Sequence, residues 1–223
     1  MYIAMIPRAS SSITFATLLR HNSLMPVAME TASRFAPQIP LVPHKLWTRE
    51  ECAVLEDTGR IDLQHYELIE GELVQKMGKN QPHMRAVLLL VSWLRGIFGQ
   101  NFVVQEPAID LRPEDNPSSE PEPDVIVLNR SFLELTSHAR PEELQMIAEV
   151  SGATLSFDLT AKARLYARSA IAEYWVLDLA AHRVIAHRDA VEGVYKSITA
   201  YSELERVSPL TAPANAVPVG DLF

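Results

Sequence analysis

The sequence predicts a mixed α/β fold with a β-sheet at its core. Two segments, residues 82–98 and 158–169, place apolar side chains at the spacing of one helix face. Short apolar runs of strand length, bounded by turn residues, lie at residues 124–128, 144–150 and 173–179. With 223 residues, of which 48% are hydrophobic, the chain can bury one sizeable core. We therefore expect a single domain over residues 47–223.

The first elements of this domain are predicted to be a short helix and a hairpin. Thr48 and Glu51 have the spacing of a capping box, in which the hydroxyl and the carboxylate accept hydrogen bonds from free backbone amides. A helix is expected from there to about residue 56. Residues 66–74 are typical of two short strands around a turn, where Gly71 supplies the permissive backbone.

A long helix and two strands are expected next. Residues 82–98 carry six apolar side chains at helical spacing, and Gly99 stands where the helix would end. Residues 102–111 are predicted to be a strand and residues 112–123 a loop rich in proline, serine and acids. The next strand begins at residues 124–128.

The C-terminal half is predicted to add strands on either side of a helix. The apolar strand at residues 144–150 is ended by Ser151 and Gly152, and Asp158 is expected to cap a helix that runs to about residue 169. Three more strands are expected at residues 173–179, 183–188 and 194–198. The proline-containing tail after residue 208 is expected to wrap the domain without regular structure.

Residues 1–46 differ in composition from the rest of the chain. Glu30 is their only acid, whereas arginines, a lysine and several serines are present. This favours a disordered leader or a start codon assigned too early, with Met25 or Met29 as the true first residue. A targeting segment is the less favoured alternative, because prolines interrupt any long helical period.

Charge and cysteine content exclude several kinds of protein. The formal net charge of -8 argues against tight binding of nucleic acid through the whole surface, although a local basic strip remains open. Cys52 is the only cysteine, so neither an intrachain disulfide nor a cysteine-rich zinc site can form, and a cytoplasmic location is expected. No apolar run approaches the roughly 18 residues needed to span a membrane.

Three polar residues in chain order suggest a hydrolytic metal site: Asp124, Glu149 and Lys162. Asp124 lies where an irregular loop meets a buried strand, and Glu149 interrupts an apolar strand. If these strands are neighbours, the two carboxylates could hold one hard cation. The plainer alternatives stay open: a loop-end aspartate, an edge-strand glutamate, and a surface ion pair between Lys162 and Asp158.

The order of several short motifs is the most specific feature of the sequence. The motifs are Tyr66-Glu67-Leu68-Ile69-Glu70-Gly71-Glu72, Pro123-Asp124-Val125, Ala148-Glu149-Val150-Ser151, Asp158 with Lys162 and Tyr166, and Glu173-Tyr174-Trp175-Val176-Leu177-Asp178. Together they cover roughly residues 45–223, and in this order they resemble the Uma2 family. That family is a large bacterial group classed as endonucleases in the PD-(D/E)XK, or restriction-endonuclease-like, superfamily.

The resemblance implies a restriction-endonuclease-like central mixed β-sheet flanked by helices. It also implies magnesium-dependent cleavage of DNA, where manganese can substitute, with Asp124 and Glu149 as metal ligands. The superfamily lysine normally stands two residues after the acid. Here that position is Ser151, so Lys162 on the following helix takes the role of the lysine.

The resemblance adds three further candidates for the site. Glu72, from the first hairpin, would bind the metal directly or through water, or would be a solvent-facing strand acid. His83 would face the pocket and orient phosphate, or would have a capping or surface role. Tyr166 lies four residues after Lys162, on the same helix face, and would buttress the lysine or simply pack in the core.

The function that these features favour is a metal-dependent DNA endonuclease that hydrolyses phosphodiester bonds. The alternative is a catalytically inactive nuclease fold that serves as a binding or regulatory module, since the surface is acidic and no separate DNA-recognition domain is evident. A small-molecule hydrolase is less favoured, because the required nucleophile or phosphate motif is lacking. A homodimer fits a nuclease with one site per chain that cuts both strands.

Overall fold

The computed structural model describes residues 44–60, 62–76 and 78–223. The predicted leader or early start falls almost entirely on residues 1–43, which lie outside the described residues. None of the helices in the described ranges is long and apolar enough to cross a membrane.

A six-stranded mixed sheet forms the centre of the described structure, with the order β3-β4-β5-β6-β7-β8. The strands are β1 (Tyr66–Ile69), β2 (Glu72–Gln75), β3 (Val103–Gln105), β4 (Val125–Leu128), β5 (Leu144–Ser151), β6 (Glu173–Asp178), β7 (Arg183–Val191), β8 (Val194–Tyr201), β9 (Arg206–Val207) and β10 (Val217–Pro218). Only β5 and β6 pair in parallel within this sheet, and the other neighbours are antiparallel. The strands β1 and β2 form a separate hairpin, and β9 pairs with β10.

The helices cover both faces of the sheet. They are α1 (Arg49–Asp57), α2 (Gln81–Phe98), α3 (Leu155–Phe157) and α4 (Ala163–Arg168), and a π-helical segment, Asp158–Lys162, joins α3 directly to α4. Short 3₁₀ turns occur at Gln100–Phe102, Asn116–Ser118, Phe132–Glu134, Pro141–Glu143 and Val219–Leu222.

The central strands are apolar on both sides because each face of the sheet is covered. In β4, Val125 and Val127 pack in the same cluster as α2, whereas Ile126 and Leu128 pack in the cluster that contains α4. Alternate residues of a strand point to opposite faces, so one continuous apolar run serves two cores. This accounts for the compact hydrophobic runs in the sequence.

The long helix α2 is fixed mainly by packing. Its N-cap, Asn80, accepts a hydrogen bond from the backbone amide of His83 at 3.0 Å, and the helix ends at Gly99, whose φ is 98°. Its buried side chains are Ala86, Val87, Leu90, Val91 and Leu94. Burial of such side chains contributes roughly 1.5–3 kcal/mol for each of the larger ones. The helix therefore packs against one face of the sheet through its middle turns.

The structure confirms the predicted start of α1 and the first hairpin. Thr48 and Glu51 make both hydrogen bonds of the capping box, at 3.2 and 3.0 Å. The turn of the hairpin needs a left-handed backbone at Glu70 and Gly71, where φ is 50° and 87°. A Cβ atom on Gly71 would lie 2.7 Å from the Cβ of Leu46, so glycine is required there for space as well.

Three local predictions were wrong. The strand expected at residues 102–111 ends at Gln105, because Glu106 has a left-handed φ of 53° and Pro107 has no backbone N–H to donate. Asp158 is not the N-cap of the helix but the first residue of the π-helical segment that follows α3. The tail after residue 208 contains β10 and a 3₁₀ turn, so it is not without regular structure.

Candidate active site

The register of two antiparallel strands brings Asp124 and Glu149 together. Val125 pairs with Ala148, so Asp124, just before β4, lies beside the last residues of β5. The backbone amide of Val150 donates to Asp124 Oδ2 at 2.7 Å, and the amide of Asp124 approaches Glu149 Oε2 at 3.4 Å. The two carboxylates are therefore held next to each other by the backbone of the neighbouring strand.

Lys162 lies against the same carboxylates. Its Nζ donates to Glu149 Oε1 at 2.9 Å and also lies 2.9 Å from Glu67 Oε2. The side chains of Lys162 and Glu149 are only 5% and 6% exposed. The ammonium group is thus a buried cation between two carboxylates, and not the surface partner of Asp158 that helical spacing alone allows.

The π-helical segment aims Lys162 at the sheet. Within it, the amide of Ala163 donates to the carbonyl oxygen of Asp158, five residues earlier, which gives a wider turn than an α-helix. Asp158 is buried, and its Oδ2 accepts a hydrogen bond from Ser151 Oγ at 2.7 Å. The end of β5 is therefore tied to the start of the segment that carries the lysine.

Tyr166 completes the surroundings of Glu149. Its hydroxyl donates to Glu149 Oε1 at 3.0 Å, the same oxygen that accepts from Lys162. Tyr166 is fully buried, so it packs in the core and also contacts the site. With both donors on Oε1, Glu149 Oε2 is directed toward Asp124.

Burial and nearby charge shift the pKa values in this cluster. Burial raises the pKa of Glu149 well above its usual value; Lys162 opposes the shift and Asp124 adds to it. Burial alone would lower the pKa of Lys162, but the carboxylates of Glu149 and Glu67 outweigh burial and raise it. Burial also raises the pKa of Tyr166. Lys162 is therefore a fixed cation at neutral pH, and Tyr166 a neutral hydrogen-bond donor.

His83, in the first turn of α2, lies beside Asp124. Its Nε2 is 3.3 Å from Asp124 Oδ2, and within the described residues its Nδ1 is buried without a hydrogen-bond partner. The structure thus places His83 in the pocket, beside the Asp124 oxygen that also accepts from the amide of Val150.

Glu72 does not reach this cluster. It is exposed at the start of β2, opposite Ile69, and does not line the pocket. Glu67, which pairs with Val74 farther from the turn, contacts Lys162 instead. Glu67 and Ile69 lie on the same face of β1, and Glu72 is opposite Ile69, so Glu67 and Glu72 share one face of the hairpin. Packing of the hairpin then decides which of the two glutamates reaches Lys162.

The cluster lies in a pocket of about 510 Å³ whose lining is acidic. The charged lining residues of the described chain, six acids and three lysines, are Glu67, Glu106, Glu122, Asp124, Glu149, Asp158, Lys76, Lys79 and Lys162. Near the mouth, Lys76 lies 2.7 Å from Glu122, and Lys79 pairs with Glu106. Acidic side chains therefore outnumber lysines in the lining of the pocket.

The donor chemistry of the cluster fits a hard divalent cation. Asp124 and Glu149 supply oxygen atoms, and each keeps an oxygen that faces the other residue or the pocket. Across the described residues, no group of three or more His, Cys, Asp or Glu side chains forms a ready metal cage. Two carboxylates suit Mg²⁺, which keeps several waters and is commonly completed by substrate phosphate.

Comparisons with known proteins agree with this architecture. A family model described as "Uma2: Putative restriction endonuclease" matches residues 51–219. The chain is also similar to the crystal structure of "a putative nuclease belonging to DUF820" from Anabaena variabilis, with 14% sequence identity and a TM-score of 0.57 over 76% of this chain and 96% of that chain. A comparison with curated proteins found no match. The structural likeness confirms the predicted fold, a mixed central sheet flanked by helices.

Proposed function

The chain belongs to the Uma2 family, and on this premise we propose that it is a metal-dependent endonuclease that hydrolyses phosphodiester bonds of DNA. The observation that carries the proposal is the contact of Lys162 with Glu149 at 2.9 Å, beside Asp124, in an acidic pocket. Adjacent carboxylates with a fixed lysine are the groups that metal-assisted hydrolysis of a phosphodiester needs.

Asp124 and Glu149 would hold magnesium, or manganese in its place. The bound cation supplies an activated water and neutralises charge on the phosphate. Tyr166 and Lys162 occupy Glu149 Oε1, which leaves Oε2 as the oxygen for the cation. The amide of Val150 holds Asp124 through Oδ2 in the same way, so both ligands are oriented before the cation binds.

Lys162 acts in this proposal as a cation and not as a base. The flanking carboxylates raise its pKa, so it remains protonated at neutral pH. An ammonium group fixed in a buried site stabilises negative charge that develops on a transferred oxygen, and it orients water by donating a hydrogen bond. His83, next to Asp124, is placed to orient that carboxylate or a phosphate oxygen.

The charge of the pocket supports the cation in this proposal. A DNA phosphate that enters the pocket meets more carboxylates than lysines. Repulsion between like charges at short range costs several kcal/mol in a partly buried site, at roughly 4 kcal/mol for two charges 4 Å apart at an effective dielectric constant of 20. Asp124 and Glu149 would hold a divalent cation that neutralises their charge, so cleavage should depend strictly on added metal.

Plasmid cleavage tests the proposal. We expect the purified protein to nick or cut supercoiled DNA with Mg²⁺ or Mn²⁺, and we expect EDTA to stop the reaction. Asp124→Ala, Glu149→Gln and Lys162→Met should each lower the rate by at least about 100-fold, the effect of removing one group that stabilises transition-state charge. Glu72→Gln, outside the pocket, is the matched control and should cut normally.

Two results would contradict the proposal. Cleavage that continues without metal and in all three site variants would place the chemistry elsewhere. DNA binding without cleavage under any metal condition would favour the inactive binding or regulatory module. The homodimer and the cytoplasmic location stay predictions.

A further inference from the structure

Glu67 connects three parts of the site. Both of its carboxylate oxygens lie near Lys162 Nζ, Oε1 at 3.1 Å and Oε2 at 2.9 Å. Oε2 also accepts a hydrogen bond from the backbone amide of Glu122 at 3.2 Å, two residues before Asp124. The side chain of Glu67 is only 11% exposed. One carboxylate of the hairpin thus joins the lysine of the helix to the loop that carries Asp124.

The geometry points to Glu67 as the residue that positions Lys162 for catalysis, an inference that rests on the proposed function. Glu149 also contacts Lys162, but Glu149 is in addition a proposed metal ligand, and a cation would compete with the ammonium group for its charge. Glu67, on the hairpin, contacts Lys162 at the same distance of 2.9 Å and is not a proposed metal ligand. The hairpin therefore fixes the position of the ammonium group while Glu149 acts as a metal ligand.

A neighbouring ion pair shows what a purely structural contact on the same hairpin looks like. Glu70 contacts Arg168 at 2.7 Å and Arg164 at 3.1 Å, so it also links the hairpin to α4. Glu70 does not line the pocket, and its side chain is 38% exposed. A variant at Glu70 therefore weakens the attachment of the hairpin without touching Lys162.

The test is a double-mutant cycle with two readouts. The proteins are the full chain and its Glu67→Gln, Lys162→Met, Glu67→Gln/Lys162→Met and Glu70→Gln variants. Glutamine keeps the size of Glu67 and an oxygen for the amide of Glu122, but it loses the charge that holds the ammonium group. The rate of plasmid cleavage under single-turnover conditions with Mn²⁺ is measured first, and unfolding in urea second.

We expect Glu67→Gln to lower the single-turnover rate by about 10- to 100-fold, the loss typical of a misplaced catalytic group. Binding of Mn²⁺ and of DNA to Glu67→Gln, measured apart from the cycle, should be retained. In the Lys162→Met background the same change should have no further effect on the rate, because Glu67 acts only through Lys162. Glu70→Gln should cleave like the wild type. In urea, the double variant should lose less stability than the sum of the two single variants.

Several outcomes would overturn the inference. They are an unchanged rate in Glu67→Gln, a full further loss in the Lys162→Met background, and loss of Mn²⁺ binding, which would make Glu67 a ligand. If the wild type does not cut DNA, the proposed function fails, while the urea cycle still decides whether Glu67 holds Lys162. If it cuts DNA but the two residues show no coupling in either readout, only the role of Glu67 fails.

Discussion

Metal binding should stabilise the folded protein through Asp124. Asp124 and Glu149 lie next to each other in the pocket, since the backbone amide of Asp124 is 3.4 Å from Glu149 Oε2. Burial raises the pKa of Glu149. The folded chain alone brings these groups together, so a cation held by both would stabilise the folded chain over the unfolded chain. At a metal concentration 100 times the dissociation constant, the gain is about 2.7 kcal/mol.

For a domain of this size the gain corresponds to an increase in melting temperature of roughly 5 to 10 °C. The assay is thermal unfolding in EDTA and in increasing Mg²⁺ or Mn²⁺. Asp124→Asn should abolish the increase. The asparagine side-chain oxygen can still accept from the amide of Val150, and the charge that repels Glu149 is gone. The metal-free variant should therefore remain folded.

Glu72→Gln is the matched control, since Glu72 is an acid of the same hairpin as Glu67 but lies outside the pocket. Its melting temperature should rise with metal as in the wild type. An equal rise in Asp124→Asn would refute the assignment of the site. A rise that disappears in Glu72→Gln would restore Glu72 as a ligand and would require the hairpin to move.

Other predictions concern stability. Lys162→Met leaves the carboxylates of Glu67 and Glu149 without their cation. It should lower the free energy of unfolding in urea by about 3–5 kcal/mol, the cost of breaking a buried ion pair by removing one partner. An unchanged midpoint would show that the pair is solvated. Leu90→Ala, at a fully buried position of α2, should lower the free energy of unfolding by about 2–5 kcal/mol. Leu88→Ala, on the exposed face of the same helix, should lower it far less. Equal losses would refute the packing of α2. Burial lowers the pKa of His187, so the unfolded chain binds its proton more readily and stability is lost as pH falls below the unfolded value of about 6.5. His187→Phe should therefore lose less stability than the wild type between pH 7 and pH 5 in urea unfolding, and an equal loss in the variant would refute the role of His187.

The main elements could be predicted because their signals are local. The apolar run in β4 and the helical spacing in α2 each mark one element without reference to the rest of the chain. The capping box of α1 is equally local, since its two partners are three residues apart. The pairing of β9 with β10 was missed because two-residue strands carry no periodicity, and only the folded tail brings them together.

The candidate site could be predicted in part. Asp124 and Glu149 stand out because charge next to a buried strand needs a compensating partner, and the strand register then places them side by side. The contact of Glu67 with Lys162 spans 95 residues and depends on how the hairpin packs. The hairpin pattern alone favours neither Glu67 nor Glu72, because cross-strand pairing puts both on one face.

The position of Lys162 depends on a contact at the end of β5. Ser151 stands two residues after Glu149, so its side chain leaves the strand on the same face as the glutamate. Its hydroxyl donates to the buried carboxylate of Asp158, at the first residue of the π-helical segment. That segment ends at Lys162, whose ammonium group returns to Glu149. Ser151 thus anchors the helical segment that carries the ammonium group, so Ser151→Ala should change the rate of cleavage through the placement of Lys162. Ser151→Lys would instead put a second cation beside Glu149 and Asp158, and cleavage by a Ser151→Lys/Lys162→Met protein would show that the charge, and not its place in the chain, is what the chemistry needs.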